Sequence, residues 1–264
     1  MGTRRACAIA GATLLAAILG GCALPGLGGA EPTPTASTAS TASTAPASPT
    51  PSSPTAPPTS TPSAPAPAGH DYSDAALDYF SAIALSTEYG DGAGEVRKWT
   101  TDVRIAVHGD PTDEDLSALV DVVADLNALI GPIEIEVVRS EANVDLHFSP
   151  ETDFAGIAPE YIPVNMGFFW TWWDGDGAIT RARILVSTTD ITQTEREHII
   201  REEVTQSLGL MNDSYTYVDS IFYQGWTSPT EYTALDESLI EMLYLPEIAP
   251  GMPAADALEA LRGE

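Results

Sequence analysis

The pattern of apolar and polar positions divides the chain into helices and strands from about residue 73 onward. Residues 73 to 87 place Leu77, Phe80, Ile83 and Ala84 at helical spacing, and Gly90 lies just beyond the end. Val103 to Val107 alternates as a half-buried strand does. A second helix opens between Pro111 and Asp115 and runs to about Ile130, with Leu116, Leu119, Val120, Val123, Leu126 and Ile130 as its apolar stripe, and Gly131-Pro132 stops it. Strands are expected at 133 to 138 and 144 to 148. An aromatic run, Phe168-Phe169-Trp170-Thr171-Trp172-Trp173, then enters Asp174-Gly175-Asp176-Gly177 and a strand over 178 to 186. Asp-Gly residues between two such runs predict a hairpin, and this stretch lacks the ligand set of a calcium loop.

The next helix carries the most informative surface. Thr192 and Glu195 form a capping box, so it starts near Gln193, and Gly209 is expected as its C′ residue. At 100° per residue Ile200, Val204, Leu208 and Met211 share the core side. His198, Glu202 and Gln206 are successive i, i+4 neighbours on the opposite side. The run Arg201-Glu202-Glu203 reads as a salt-bridged, solvated face with Arg196 and Arg201 neutralising the carboxylates, and His198 as a surface histidine within it. Two alternatives stay open: a general base made by pushing the pKa values of Glu202 and Glu203 apart, and a polar network tying the helix end to the following loop. Among the aromatics, Trp172 is the groove candidate, on the expectation that its alternation differs from that of Trp170 and Trp173.

The N-terminal third changes the picture from a bare domain to a tethered one. Arg4 and Arg5, an apolar run from Ala6 to Leu19 and Leu19-Gly20-Gly21-Cys22 resemble a bacterial lipoprotein signal, with residues 1–21 removed and Cys22 lipidated. Whether export is general or through the twin-arginine route stays open. Residues 22–30 would follow the lipid. Residues 31–69 are almost entirely Pro, Ala, Ser and Thr, a composition that buries no core and favours extended chain of roughly 3 Å per residue. Residues 70–264 have the size of one domain. The two cysteines, Cys7 and Cys22, both lie before it, so it has neither disulfide nor thiolate metal site.

Charge narrows the partners. With 11 Lys and Arg against 38 Asp and Glu, the net charge is −27, a field that repels nucleic acid and anionic membrane surfaces. Membrane attachment therefore falls to the lipid, at the extracytoplasmic face, with an envelope protein or polymer as the remaining partner and a monomer as the expected state.

From residue 72 to residue 252 the chain resembles a bacterial domain family of unknown function found in lipoproteins. The residues carrying the likeness are Phe80, Ile83, Glu88-Tyr89-Gly90, Trp99, Asn143, Arg201-Glu202-Glu203, Gln206, Leu208-Gly209-Leu210, Asn212-Asp213, Ser220-Ile221-Phe222, Leu243-Tyr244-Leu245-Pro246 and Pro250-Gly251-Met252. More distantly it is similar to metzincin proteases. That resemblance implies an α+β, zincin-like fold: a twisted mixed sheet, a central motif-bearing helix and a C-terminal helix over about 230 to 245. It puts Glu202 and Gln206 at the first two metal-ligand positions, Glu203 at the general base, Asn212 at the third ligand and Phe222 at the Met-turn methionine. Glutamine and asparagine amides are poor zinc ligands, so no zinc or other cofactor is expected; a Glu-Gln-Asn/Asp set suits at most a weakly held hard cation such as calcium. His198 with Glu202 would supply two ligands and no third. The expectation is a tethered binding or structural module, or an assembly factor, using Arg201, Glu202, Gln206, Asn212 and Asp213. The alternative is a peptidase-like hydrolase with Glu203 as its base.

Overall fold

The computed structural model describes residues 71–86 and 94–263, all within one unit, Ala66–Glu264. The export signal, Cys22, the 31–69 segment and Glu88-Tyr89-Gly90 lie outside the described residues. Among the described residues, no helix is long and apolar enough to cross a membrane.

The described chain forms six α-helices around one sheet. Helix α1 (Asp74–Ala84) is capped by Ser73 and buries Leu77, Phe80 and Ile83. Strands β1 (Lys98–Trp99) and β2 (Val103–Gly109) lead to α2 (Asp113–Leu129), whose Thr112 and Asp115 form a capping box. Then come β3 (Ile135–Val138), β4 (Val144–Ser149), a 3-10 turn (Glu151–Asp153) and the one-turn α3 (Phe154–Ile157). The hairpin β5 (Gly167–Trp173) and β6 (Ala178–Ser187) precedes α4 (Gln193–Gln206), α5 (Ala234–Tyr244) and α6 (Ala254–Arg262).

The sheet runs β3-β2-β4-β6, all parallel, with β1 parallel to the start of β6 and β5 antiparallel to it. It is thus a mixed α/β arrangement with a mostly parallel sheet rather than a segregated α+β one. Register aligns Ile105 with Val144, and Leu146 with Ile184, on the face that packs with α1, α2, α4, α5 and α6. Asn143 holds that register by accepting from the Arg104 amide at 2.7 Å and donating to the Asp102 carbonyl at 2.8 Å. The opposite face carries a small cluster in which Phe154, Ala158 and Tyr161 cover Phe168 and Leu185.

Three expectations change. The buried stripe of α2 is Asp115, Leu119, Val122 and Leu126, while Leu116 and Val120 are exposed, because the helix is turned so that Asp115 reaches α4. Gly209 is not the C′ residue: α4 ends at Gln206 with Ser207 as C-cap. Gly209 is needed instead for its φ of 121° and because a Cβ there would stand 1.9 Å from the Arg97 carbonyl oxygen. Helix α6, β1 and the turn at 151–157 had no counterpart in the pattern reading. For α6 the signal was there: Ala257 and Leu261 are buried four residues apart after Pro253.

Candidate functional site

Helix α4 starts where the capping box puts it: the Glu195 amide donates to Thr192 Oγ1, and the Thr192 amide to Glu195 Oε2 at 2.7 Å. Thr192 and the Trp226 indole N–H hold the Glu195 carboxylate below its usual pKa, the Thr192 amide contributing most. The apolar side of α4 and the residues after it bury Ile200, Val204, Leu208 and Met211 as expected, and Ile199 besides. The polar side is buried as well. His198, Arg201, Glu203 and Gln206 are all below 9% exposed, so the solvated-face reading of Arg201-Glu202-Glu203 and His198 is wrong. Most charged groups at that depth require partners, and the partners come from distant segments.

Both arginines pair with carboxylates of α2. Arg196 Nη1 lies 3.1 Å from Asp115 Oδ2, and its Nη2 donates to the Thr188 carbonyl. Asp115 is itself wholly buried; it caps α2 through the Thr112 amide and accepts from Gln193 Nε2. Arg201 Nη1 lies 2.8 Å from Asp125 Oδ2 of α2, with its guanidinium 4.3 Å over the Tyr232 ring. Thr205 Oγ1 uses its one hydrogen on the Arg201 carbonyl, so Tyr232 donates to Thr205 at 2.7 Å. Burial pushes the Tyr232 phenol up to about 12.

The segment between α4 and α5 lies over this side of the helix. His198 Nδ1 is 2.7 Å from the Pro229 carbonyl, which can only accept, so Nδ1 carries the proton and Nε2 faces Glu202 Oε2 at 3.5 Å. Burial lowers the His198 pKa and outweighs the Pro229 bond, so the imidazole is neutral near pH 7 despite its carboxylate neighbour. Gln206 Nε2 donates to Asp213 Oδ1 at 2.5 Å. Asn212 goes elsewhere: its Nδ2 donates to the Ala82 carbonyl and its amide to that of Ile83, tying the loop to the end of α1. Glu203 lies beneath the first residue of β5, where a Cβ on Gly167 would meet its Oε1 at 2.3 Å. The structure therefore brings Gln206 to Asp213 and His198 to Glu202, and holds Asn212 against α1.

The Ser220-Ile221-Phe222 turn is a hydrogen-bonded plug. Tyr79 donates to Ser220 Oγ at 2.8 Å and Ser220 donates to Asp236 Oδ1 at 2.5 Å. Asp236 also receives the Ile221 amide and caps α5 through Thr233. Phe222, at the position the metzincin likeness gave to methionine, is fully buried. The end of α4 is sealed by Trp99 Nε1 on the Ser207 carbonyl and Tyr244 on that of Leu208. Sequence reasoning missed Asp115, Asp125, Tyr232 and Asp236, each of which lies far along the chain from the group it serves.

The residues do not fit zinc. Two of the three implied ligand positions are amides, which are poor ligands for zinc, and among the described residues no group of three or more His, Cys, Asp and Glu could hold a metal ion. In β5, Trp170 and Trp172 share the outer face, opposite Arg183 and Arg181, whereas Trp173 packs toward the main core; the parity expected for Trp172 was wrong. The Arg181 guanidinium lies 3.8 Å over the Trp172 ring.

A capped helix under a mostly parallel sheet, its polar side closed by a long loop, defines a mixed α/β domain. The chain belongs to the family described as "Protein of unknown function (DUF2927)", which matches residues 73–263. Two solved structures are similar to it. "Crystal structure of myroilysin" has 11% identity and a TM-score of 0.38, covering 66% of this chain and 97% of that one. "Structure of Myroilysin" has 12% identity and a TM-score of 0.36, covering 62% and 85%. No functionally curated protein matches the chain.

Proposed function

We propose that this protein is a lipid-anchored, extracytoplasmic component of a bacterial cell envelope whose domain works as a binding or structural module on a metzincin-like scaffold without zinc. The observation that carries this reading is the use made of α4: Arg196, Arg201, Gln206 and Asn212 are committed to Asp115, Asp125, Asp213 and the Ala82 carbonyl. Bonds of that kind brace a helix, and arginines and side-chain amides are poor ligands for zinc. The mixed sheet, the motif helix packed on it and α5 near the C-terminus support this reading of the scaffold, whereas the α+β class that the metzincin likeness implied is replaced by a mixed α/β one. The Leu19-Gly20-Gly21-Cys22 stretch and the 31–69 spacer supply the anchor and the reach. The partner is an envelope protein or polymer, and the protein acts as a monomer; a weakly bound calcium ion would be compatible with its carboxylates.

Elemental analysis of protein purified without chelator tests the zinc-free reading. One equivalent of zinc, lost in Glu202→Ala and Gln206→Ala, would overturn it. Cys22→Ser should release the protein from membranes and abolish labelling by palmitate. A second reading, a hydrolase with Glu203 as general base, is favoured by one feature: Glu203 is 7% exposed and lies under Gly167 at the start of β5. Under it, Glu203→Gln abolishes peptide turnover while the unfolding midpoint holds; unchanged turnover removes Glu203 from that role.

A further inference from the structure

A cavity of about 580 Å³ lies between the β5–β6 turn and the turn before α6, away from the polar side of α4. Its size falls in the usual range for small-molecule sites, about 300–1,000 Å³. The two turns that frame it are locked backbone to backbone. A Cβ on Gly177 would stand 2.5 Å from the Gly251 amide nitrogen, and one on Gly251 would stand 2.5 Å from the Asp176 carbonyl oxygen. Asp174 Oδ1 accepts the Asp176 and Ala178 amides, and the Gly251 amide donates to the Val96 carbonyl at 2.8 Å. The frame is rigid without any ligand.

The lining mixes three kinds of group. Trp173 is half-buried, with the Arg97 guanidinium 5.1 Å from its ring centroid. Arg97 is 9% exposed; its Nη2 lies 2.7 Å from Glu95 Oε2 and its Nη1 donates to the Val96 carbonyl at 3.3 Å, so the guanidinium is part of the wall. Asp174 and Asp176 add carboxylates at the open side.

We infer that this cavity binds a neutral saccharide unit of a glycan chain. The Trp173 indole gives an apolar surface for a pyranose ring, while planar carboxylates match pairs of neighbouring hydroxyls as acceptors. Three carboxylates against one guanidinium, in a chain of net charge −27, disfavour an acidic sugar. The site is independent of the proposal for α4, and neither decides the other.

Calorimetric titration of the full chain with four trisaccharides tests it: N-acetylglucosamine, glucose, glucosamine and galacturonate oligomers. Saturable binding of a neutral oligomer is expected, weaker by about tenfold in Trp173→Ala, which removes the ring surface. Because Trp173 also packs on the core, Asp176→Asn is the second variant: it should weaken binding several-fold while the unfolding midpoint is unchanged. Trp172→Ala, on the other face of the sheet, should bind as the parent does. Four results overturn the inference: no binding by either neutral sugar, affinity unchanged in both Trp173→Ala and Asp176→Asn, binding confined to the protonated glucosamine oligomer, or binding confined to galacturonate.

Discussion

The polar side of α4 and the turn joining β5 to β6 carry similar side chains, carboxylates beside an arginine, and use them in opposite ways. On α4, Arg196 and Arg201 are buried against Asp115 and Asp125 of α2. At the hairpin, Arg97 and Glu95 pair at the rim of a cavity whose Asp174 and Asp176 face solvent. Residue type does not separate these cases. What separates the carboxylates is cover: α4 lies between α2 and the loop before α5, whereas the hairpin turn meets the Arg97 side chain and the tight turn at 249–252. Buried, such groups act as braces that other elements depend on. Around an open cavity the exposed carboxylates Asp174 and Asp176 remain available to a ligand, although Arg97 beside them is buried.

Three experiments sharpen this contrast, from the largest effect down. Asp115→Ala should cost about 3–5 kcal/mol, because it strands Arg196 in the interior and removes the cap of α2. Denaturant unfolding would show it, and the loss of a hairpin carboxylate such as Asp176 should cost far less. Gly209→Ala should cost roughly 1–3 kcal/mol from backbone strain, and more if the Arg97 carbonyl cannot move. A shift of the thermal midpoint below that range would mean the end of α4 is held less tightly than Trp99 and Tyr244 imply.

The smallest effect is on pH dependence. Burial lowers the His198 pKa in the folded chain, so the unfolded chain binds the proton more readily. Its contribution to stability is present above the unfolded value of about 6.5 and is lost as pH falls from there through the lowered folded value. Urea midpoints measured between neutral and mildly acidic pH should fall with acidification. His198→Gln should flatten that slope, and an unchanged slope would show that the neutral imidazole is not what couples α4 to Pro229.

Local chemistry was legible where a few neighbouring residues decide the outcome. Thr192 with Glu195 located the start of α4, and Asp174 to Gly177 located the hairpin turn, because a cap and a turn are settled within four residues. The polar side of α4 was misread for the converse reason. A 3.6-residue period tells that two faces differ, and says nothing of whether a second layer covers the polar one. The α2 stripe failed similarly: Leu116 and Val120 are apolar and exposed, while Asp115 is buried, since the helix is oriented by its bond to Arg196.

By itself the sequence determined most of the longer elements, the acidic charge, the absence of thiols from the domain and the poverty of zinc ligands in the motif helix. Those follow from composition and from interactions between near neighbours. Tertiary structure decided that Arg201, Glu203 and His198 are interior groups, that Asn212 braces α1, and that Arg97 and Trp173 meet at a cavity. Each of these depends on segments brought together from far apart in the chain, and no local pattern encodes such a meeting. The cost of burying a charge without a partner then dictates which distant residues must be there.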